Sequence, residues 1–140
     1  PKPVQERLPI LIGGKGDRML RLVARQADEW NMWSLPDQIA ERMAVLDRAC
    51  ARIERDPAEI RRSTQALVLV TDDEAKATAF LERVAPRAAI AGPPERFAEV
   101  VGEWAALGVD EVIVPDMALG RGSERQDRID ALKAAVDAGS

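Results

Sequence analysis

The chain has 140 residues and a mass of 15.3 kDa, the size of one domain able to bury about two-thirds of the surface its unfolded form exposes. Its 46% apolar and 31% charged residues are those of a globular fold, and a net charge of −4 with Lys and Arg scattered among Asp and Glu argues against nucleic acid, whose binders need a concentrated basic face. With no histidine, no tyrosine, one cysteine (Cys50) and no apolar run of membrane-spanning length, the chain alone can build no Ser-His-Asp device, His-based zinc site or intrachain disulfide, and the expected setting is cytoplasmic, away from a membrane.

The first expected strand, Pro9 to Ile12, is continuously apolar, as strands buried on both faces of a parallel sheet tend to be. It runs into Gly13, Gly14, Lys15 and Gly16. A helix should follow from near Asp17, with Met19, Leu20, Val23 and Ala27 on its buried face. Glu29 to Trp33 reads as the second strand. Ser34 with Pro36 then reads as a helix start, a hydroxyl cap and a proline in the first turn, and the helix continues through Ile39, Met43, Leu46, Cys50 and Ile53. Cys50 on that stripe is expected to be a packed thiol and not a reactive one.

Asp56-Pro57 stops this helix. The third strand has its strongest apolar content at Ala66 to Val70, and Asp72-Asp73-Glu74 should cap the next helix, which Pro86 ends. Ala89 to Phe97 reads as a connector. Another helix follows through Phe97, Val100, Val101, Trp104 and Leu107, closed by Gly108; a fourth strand spans Glu111 to Val114, and a last helix runs through Ile129, Leu132 and Val136. Four β/α units point to an α/β fold with a mainly parallel sheet, either a small open sheet of the flavodoxin type or half of a closed eight-stranded barrel. The chain starts at Pro1 without a methionine and with its first strand almost at once, which suggests a fragment.

Three places could carry chemistry. Ligands of parallel α/β folds bind at the C-terminal ends of the strands. There Gly13, Gly14 and Gly16 let successive amides share a concavity, and the helix starting near Asp17 adds partial positive charge, so phosphate is the natural guest and Lys15 could supplement it. The turn matches neither the dinucleotide fingerprint nor a Walker A loop, and a plain tight turn is the competing reading. At the next strand end Trp30, Asn31 and Trp33 either pack as core or form a wall and an amide hook for a flat aromatic ring. Gly120, Arg121 and Gly122 after the fourth strand read as a surface loop that could hold a negative group, and Asp116 is a carboxylate without an evident partner. No catalytic residue and no metal site is assigned.

The run PKPVQERLPILIGGKGDRMLRLVARQADEWN at 1–31, then RDPAEI at 55–60 and GPPERFAEVVGEWAALGVDEVIV at 92–114, resembles the C-terminal half of the bacterial luciferase-like monooxygenase superfamily, particularly its deazaflavin-dependent oxidoreductase branch. The resemblance implies that residues 1–140 form one domain, the strand-five-to-eight half of a TIM (β/α)8 barrel. It implies coenzyme F420 or FMN at the strand ends, with the cofactor phosphate at Gly13 to Asp17. It implies hydride transfer or monooxygenation of a small organic substrate by the complete enzyme, this half alone being inactive because the groups facing the reacting ring come largely from the other half. Its open strand edges then call for the missing N-terminal half or a second copy of this chain, a homo-oligomer. The alternative reading is a non-catalytic half-barrel module that self-associates.

Overall fold

A computed structural model describes residues 7–139; residues 1–6 of the stretch that carries the resemblance lie outside the described residues. The elements run β1 (Leu11–Gly13), α1 (Asp17–Gln26), β2 (Glu29–Trp33), α2 (Pro36–Ala51), a 3-10 turn (Pro57–Glu59), β3 (Arg61–Gln65), β4 (Leu67–Val70), α3 (Glu74–Val84), β5 (Ala89–Gly92), α4 (Pro94–Ala106), β6 (Glu111–Ile113), a second 3-10 turn (Asp116–Ala118) and α5 (Gly122–Gly139). All strand pairings are parallel. The main sheet has the order β1-β2-β3-β6, and β4 and β5 form a separate pair.

Five expectations are corrected. The third strand is two: the chain leaves the main sheet at Ala66, so the polar Arg61–Gln65 pairs between β2 and β6 while the apolar Leu67–Val70 pairs with β5. The expected connector contains that partner, because Ala89–Gly92 lies in register with Leu67–Val70 before Pro93 and Pro94 start α4. The first strand is Leu11–Gly13 in place of Pro9 to Ile12, its last residue pairing with Asn31, and it is not buried on both faces, since Ile10 and Leu11 are exposed. Ser34 is no helix cap: it is fully buried, its hydroxyl lies 2.6 Å from that of Thr64, and Leu35 precedes α2 instead, its amide donating to Gln38 Oε1. Four residues expected on buried helix faces, Met19, Ile53, Leu107 and Ile129, are exposed. In α1 the covered stripe is Leu20, Val23 and Ala24, continuing to Ala27.

The core lies between the sheet and its helices. Trp30 and Met32 of β2 pack with Leu20 and Val23 of α1, Ile39, Met43 and Leu46 of α2, Trp104 of α4 and Leu132 of α5. Cys50 belongs to this cluster, and burial pushes its thiol above the ordinary range, a shift the Arg55 guanidinium partly offsets. Two Asp-Glu pairs set the strand entries alike. Asp28 accepts the amide of Ile10 (2.8 Å) and Asp110 that of Arg62 (2.7 Å), each holding the neighbouring strand just ahead of its own. The RDPAEI stretch also gains a physical reason: Arg55 donates to the carbonyls of Ala24 (2.9 Å) and Ala27 (2.8 Å), satisfying the open end of α1, while Asp56 caps the 3-10 turn that Pro57 begins.

Candidate functional site

The register sorts the sheet residues into two faces. Residues paired directly across strands share a face, so Gly13, Asn31 and Ser63 lie on one and Ile12, Trp30 and Arg62 on the other, the second being the face that α1 and α2 cover. The first face is polar along β2 and β3. Asn31 Nδ2 donates to Ser63 Oγ (3.0 Å) and Gln65 Nε2 donates to Asn31 Oδ1 (3.2 Å), a chain of neutral groups in which Ser63 is fully buried and Asn31 nearly so. Above them, at the C-terminal strand ends, opens a cleft of about 380 Å³ lined by Gly13, Gly14, Lys15, Asn31, Trp33 and Gln65, with Met32 beside them.

The glycine turn is built differently from an all-glycine amide nest. Gly14 has φ +138°, its amide donates to the carbonyl of Asn31 (3.0 Å), and its own carbonyl accepts Trp30 Nε1 (2.7 Å). Its amide is therefore spent on extending the β1–β2 ladder. A Cβ at Gly14 would sit 3.0 Å from Met19 Cγ in a backbone conformation that side chains rarely adopt, so this glycine is required by conformation and by space. Gly16, by contrast, has φ −74° and open space around it; it precedes α1, whose first turn has no side-chain cap. The uncapped turn retains unsatisfied amides and the positive end of the helix dipole. The Asp17 carboxylate in that turn is paired with Arg42.

Of the expected site residues, then, Gly13, Gly14, Lys15 and Asn31 come together at the cleft, and Gly16 and Asp17 stand at the helix start beside it. Trp30 does not reach the cleft. It is wholly buried on the helix side, so it cannot be a wall for a ring, and its indole fixes the glycine turn from behind. Trp33, 36% exposed, is the tryptophan that lines the opening. Gln65 was not anticipated. Its signal was the spacing of Ser63 and Gln65 in the polar run RRSTQ, which puts both on the face of Asn31.

The loop after β6 offers less. Gly122 belongs to α5, Gly120 is crowded by Glu124 and Arg128, and the Asp116 carboxylate after that strand is paired with Arg125. Among the described residues no group of three His, Cys, Asp or Glu side chains could hold a metal ion, and no helix is long and apolar enough to cross a membrane.

Comparison with known proteins adds a family to this geometry. No curated protein sequence matches the chain. Similar solved structures include an F420-dependent secondary alcohol dehydrogenase in complex with an F420-acetone adduct, at 14% identity and a TM-score of 0.73, covering 99% of this chain and 51% of that one. The coenzyme F420 dependent tetrahydromethanopterin reductase from Methanopyrus kandleri is similar at 18% identity and a TM-score of 0.64, covering 95% and 49%. EDTA monooxygenase from Chelativorans sp. BNC1 is similar at 12% identity and a TM-score of 0.72, covering 99% and 46%. The chain spans about half the length of these solved relatives, and its parallel sheet with helices is half of their barrel fold. The family model of luciferase-like monooxygenases matches residues 1–134, so the chain belongs to the luciferase-like monooxygenase family.

Proposed function

We propose that this chain is the cofactor-holding, strand-five-to-eight half of a flavin- or deazaflavin-dependent oxidoreductase acting on a small organic substrate, with FMN or coenzyme F420 as the cofactor. The observation that carries the reading is the cleft at the C-terminal ends of β1, β2 and β3 in a member of this family. Its donor set fits such a group. The uncapped first turn of α1 and the Lys15 ammonium suit a phosphate. The neutral amides of Asn31 and Gln65 can give and take hydrogen bonds at the edge of a carbonyl- and N–H-bearing ring, and the half-exposed Trp33 offers an indole surface beside them.

When bound, the cofactor supplies hydride exchange with the substrate or, as reduced flavin, reaction with oxygen. The chain's own residues bind and orient. Ser63 holds the Asn31 amide with its carbonyl oxygen towards Gln65, and Trp30 with the β1–β2 ladder keeps the Gly14 turn in one conformation.

Gln65→Leu separates this reading from a structural one. Binding of FMN or F420, followed by quenching of ligand fluorescence, should weaken about tenfold in Gln65→Leu through loss of one or two hydrogen bonds, while the thermal midpoint barely moves because the side chain is only part-buried. Equal affinity in the two proteins for both ligands would contradict the assigned cleft.

A further inference from the structure

The first turn of α1 sets two demands against each other. It is the uncapped turn assigned to the cofactor phosphate, yet its opening residue, Asp17, is itself an acid. A carboxylate there draws on the same helix dipole and the same open amides that would hold a phosphate, and like charges so close repel.

The structure supplies a counter-charge, and it comes from another helix. Arg42 of α2 reaches Asp17, with Nη2 2.5 Å from Oδ1. A partner closer in sequence is passed over. Arg21 follows Asp17 at the (i, i+4) spacing on α1 and lines the same groove between α1 and α2, but it is ion-paired to no carboxylate among the described residues.

Arg42 is costly to place. Its side chain is 19% exposed, and its Nε is buried without an acceptor among the described residues. The other carboxylate it meets, Glu41, is 3.9 Å away and 77% exposed. A buried N–H left unbonded costs more than an ion pair to an exposed carboxylate returns. Holding α2 to α1 is therefore a poor reason for this arginine, and removing a negative charge from an anion's place is a better one.

We infer that Arg42 sets the affinity of the chain for the cofactor's phosphate by cancelling the charge of Asp17. It is a positioning residue, acting through Asp17 and not on the ligand, and the inference rests on the cofactor reading. With Arg42 in place the pair has no net charge, so Lys15, the open amides and the dipole decide the sign of the turn. Without it, Asp17 stands uncompensated where the phosphate approaches.

The test compares ligands with and without a phosphate: FMN against riboflavin, and F420 against its phosphate-free ring alcohol, each followed by fluorescence quenching at low and high salt. For whichever cofactor the wild-type chain binds, the phosphate form should bind tighter. Arg42→Met should weaken that form about tenfold at low salt and less at high salt, and leave the phosphate-free form unchanged. Asp17→Asn should tighten the phosphate form. Asp17→Asn combined with Arg42→Met should return it to the wild-type value, which a packing role of Arg42 would not allow, because the same contact is lost. Circular dichroism identifies a variant that fails to fold, and Arg42→Gln then replaces Arg42→Met. A phosphate preference that Arg42→Met leaves intact, or a double variant as weak as Arg42→Met, overturns the inference while the cofactor reading stands. Equal binding with and without the phosphate, or no binding of FMN or F420, overturns the phosphate's place and the inference with it.

Discussion

Two tryptophans in the same core have opposite hydrogen-bonding states, and the difference is measurable. Trp30 Nε1 donates to Gly14 O, whereas Trp104 Nε1 is buried without a partner among the described residues. Trp30→Phe leaves a carbonyl unsatisfied and should cost about 1–3 kcal/mol beyond the packing lost. Trp104→Phe removes an unsatisfied donor and should cost less, as urea unfolding of the two variants will resolve. Gly14 and Gly16 form a second contrast. Valine at Gly14 meets Met19 in a strained conformation and should cost stability and ligand affinity together, while valine at Gly16 meets no side chain and should leave stability within about 0.5 kcal/mol. The Cys50 thiol, raised by burial, should react with a disulfide reagent only as fast as the native chain opens; rapid modification at neutral pH would contradict its packing.

At the scale of elements, Arg55 ties the loop after α2 to the end of α1. Arg55→Met keeps the stem but leaves the Ala24 and Ala27 carbonyls without their donor, and a loss of about 1.5–3 kcal/mol in denaturant unfolding is expected. Most elements were legible from periodicity, because Leu20 and Val23, Ile39 and Met43, and Phe97, Val100 and Trp104 recur at helical spacing on faces the sheet then covers. What periodicity missed was long-range. Ala89–Gly92 reads as a loop because three small residues and a single isoleucine before two prolines carry little strand signature of their own, and only Leu67–Val70 alongside makes them one. Ser34 reads as a cap because a hydroxyl ahead of Pro36 normally is one; the Thr64 hydroxyl, thirty residues on, captures it first. For the site, the glycine turn and Asn31 were visible as strand-end chemistry. Gln65 was not, since its place opposite Trp33 depends on the β2–β3 register.

For the whole molecule, the one-sided sheet decides between the architectures open at the level of sequence. Helices on one face and a polar chain of Asn31, Ser63 and Gln65 on the other are those of half a barrel and not of a doubly covered open sheet. That arrangement puts the cleft on the C-terminal strand ends and leaves the edges at β1 and β6 to be covered. Whether the cleft is the cofactor's place can be read residue by residue from amide and side-chain N–H signals of the 15N-labelled chain titrated with FMN and, separately, with F420. Saturable shifts at Lys15 and Gly16, the Asn31 and Gln65 side-chain amides and the Trp33 indole, with little change along β4 and β5, are the predicted result for at least one ligand. Shifts centred on Thr71 and Gly92, in the open cleft at the ends of β4 and β5, or none at saturating concentrations of either ligand, would contradict the assignment.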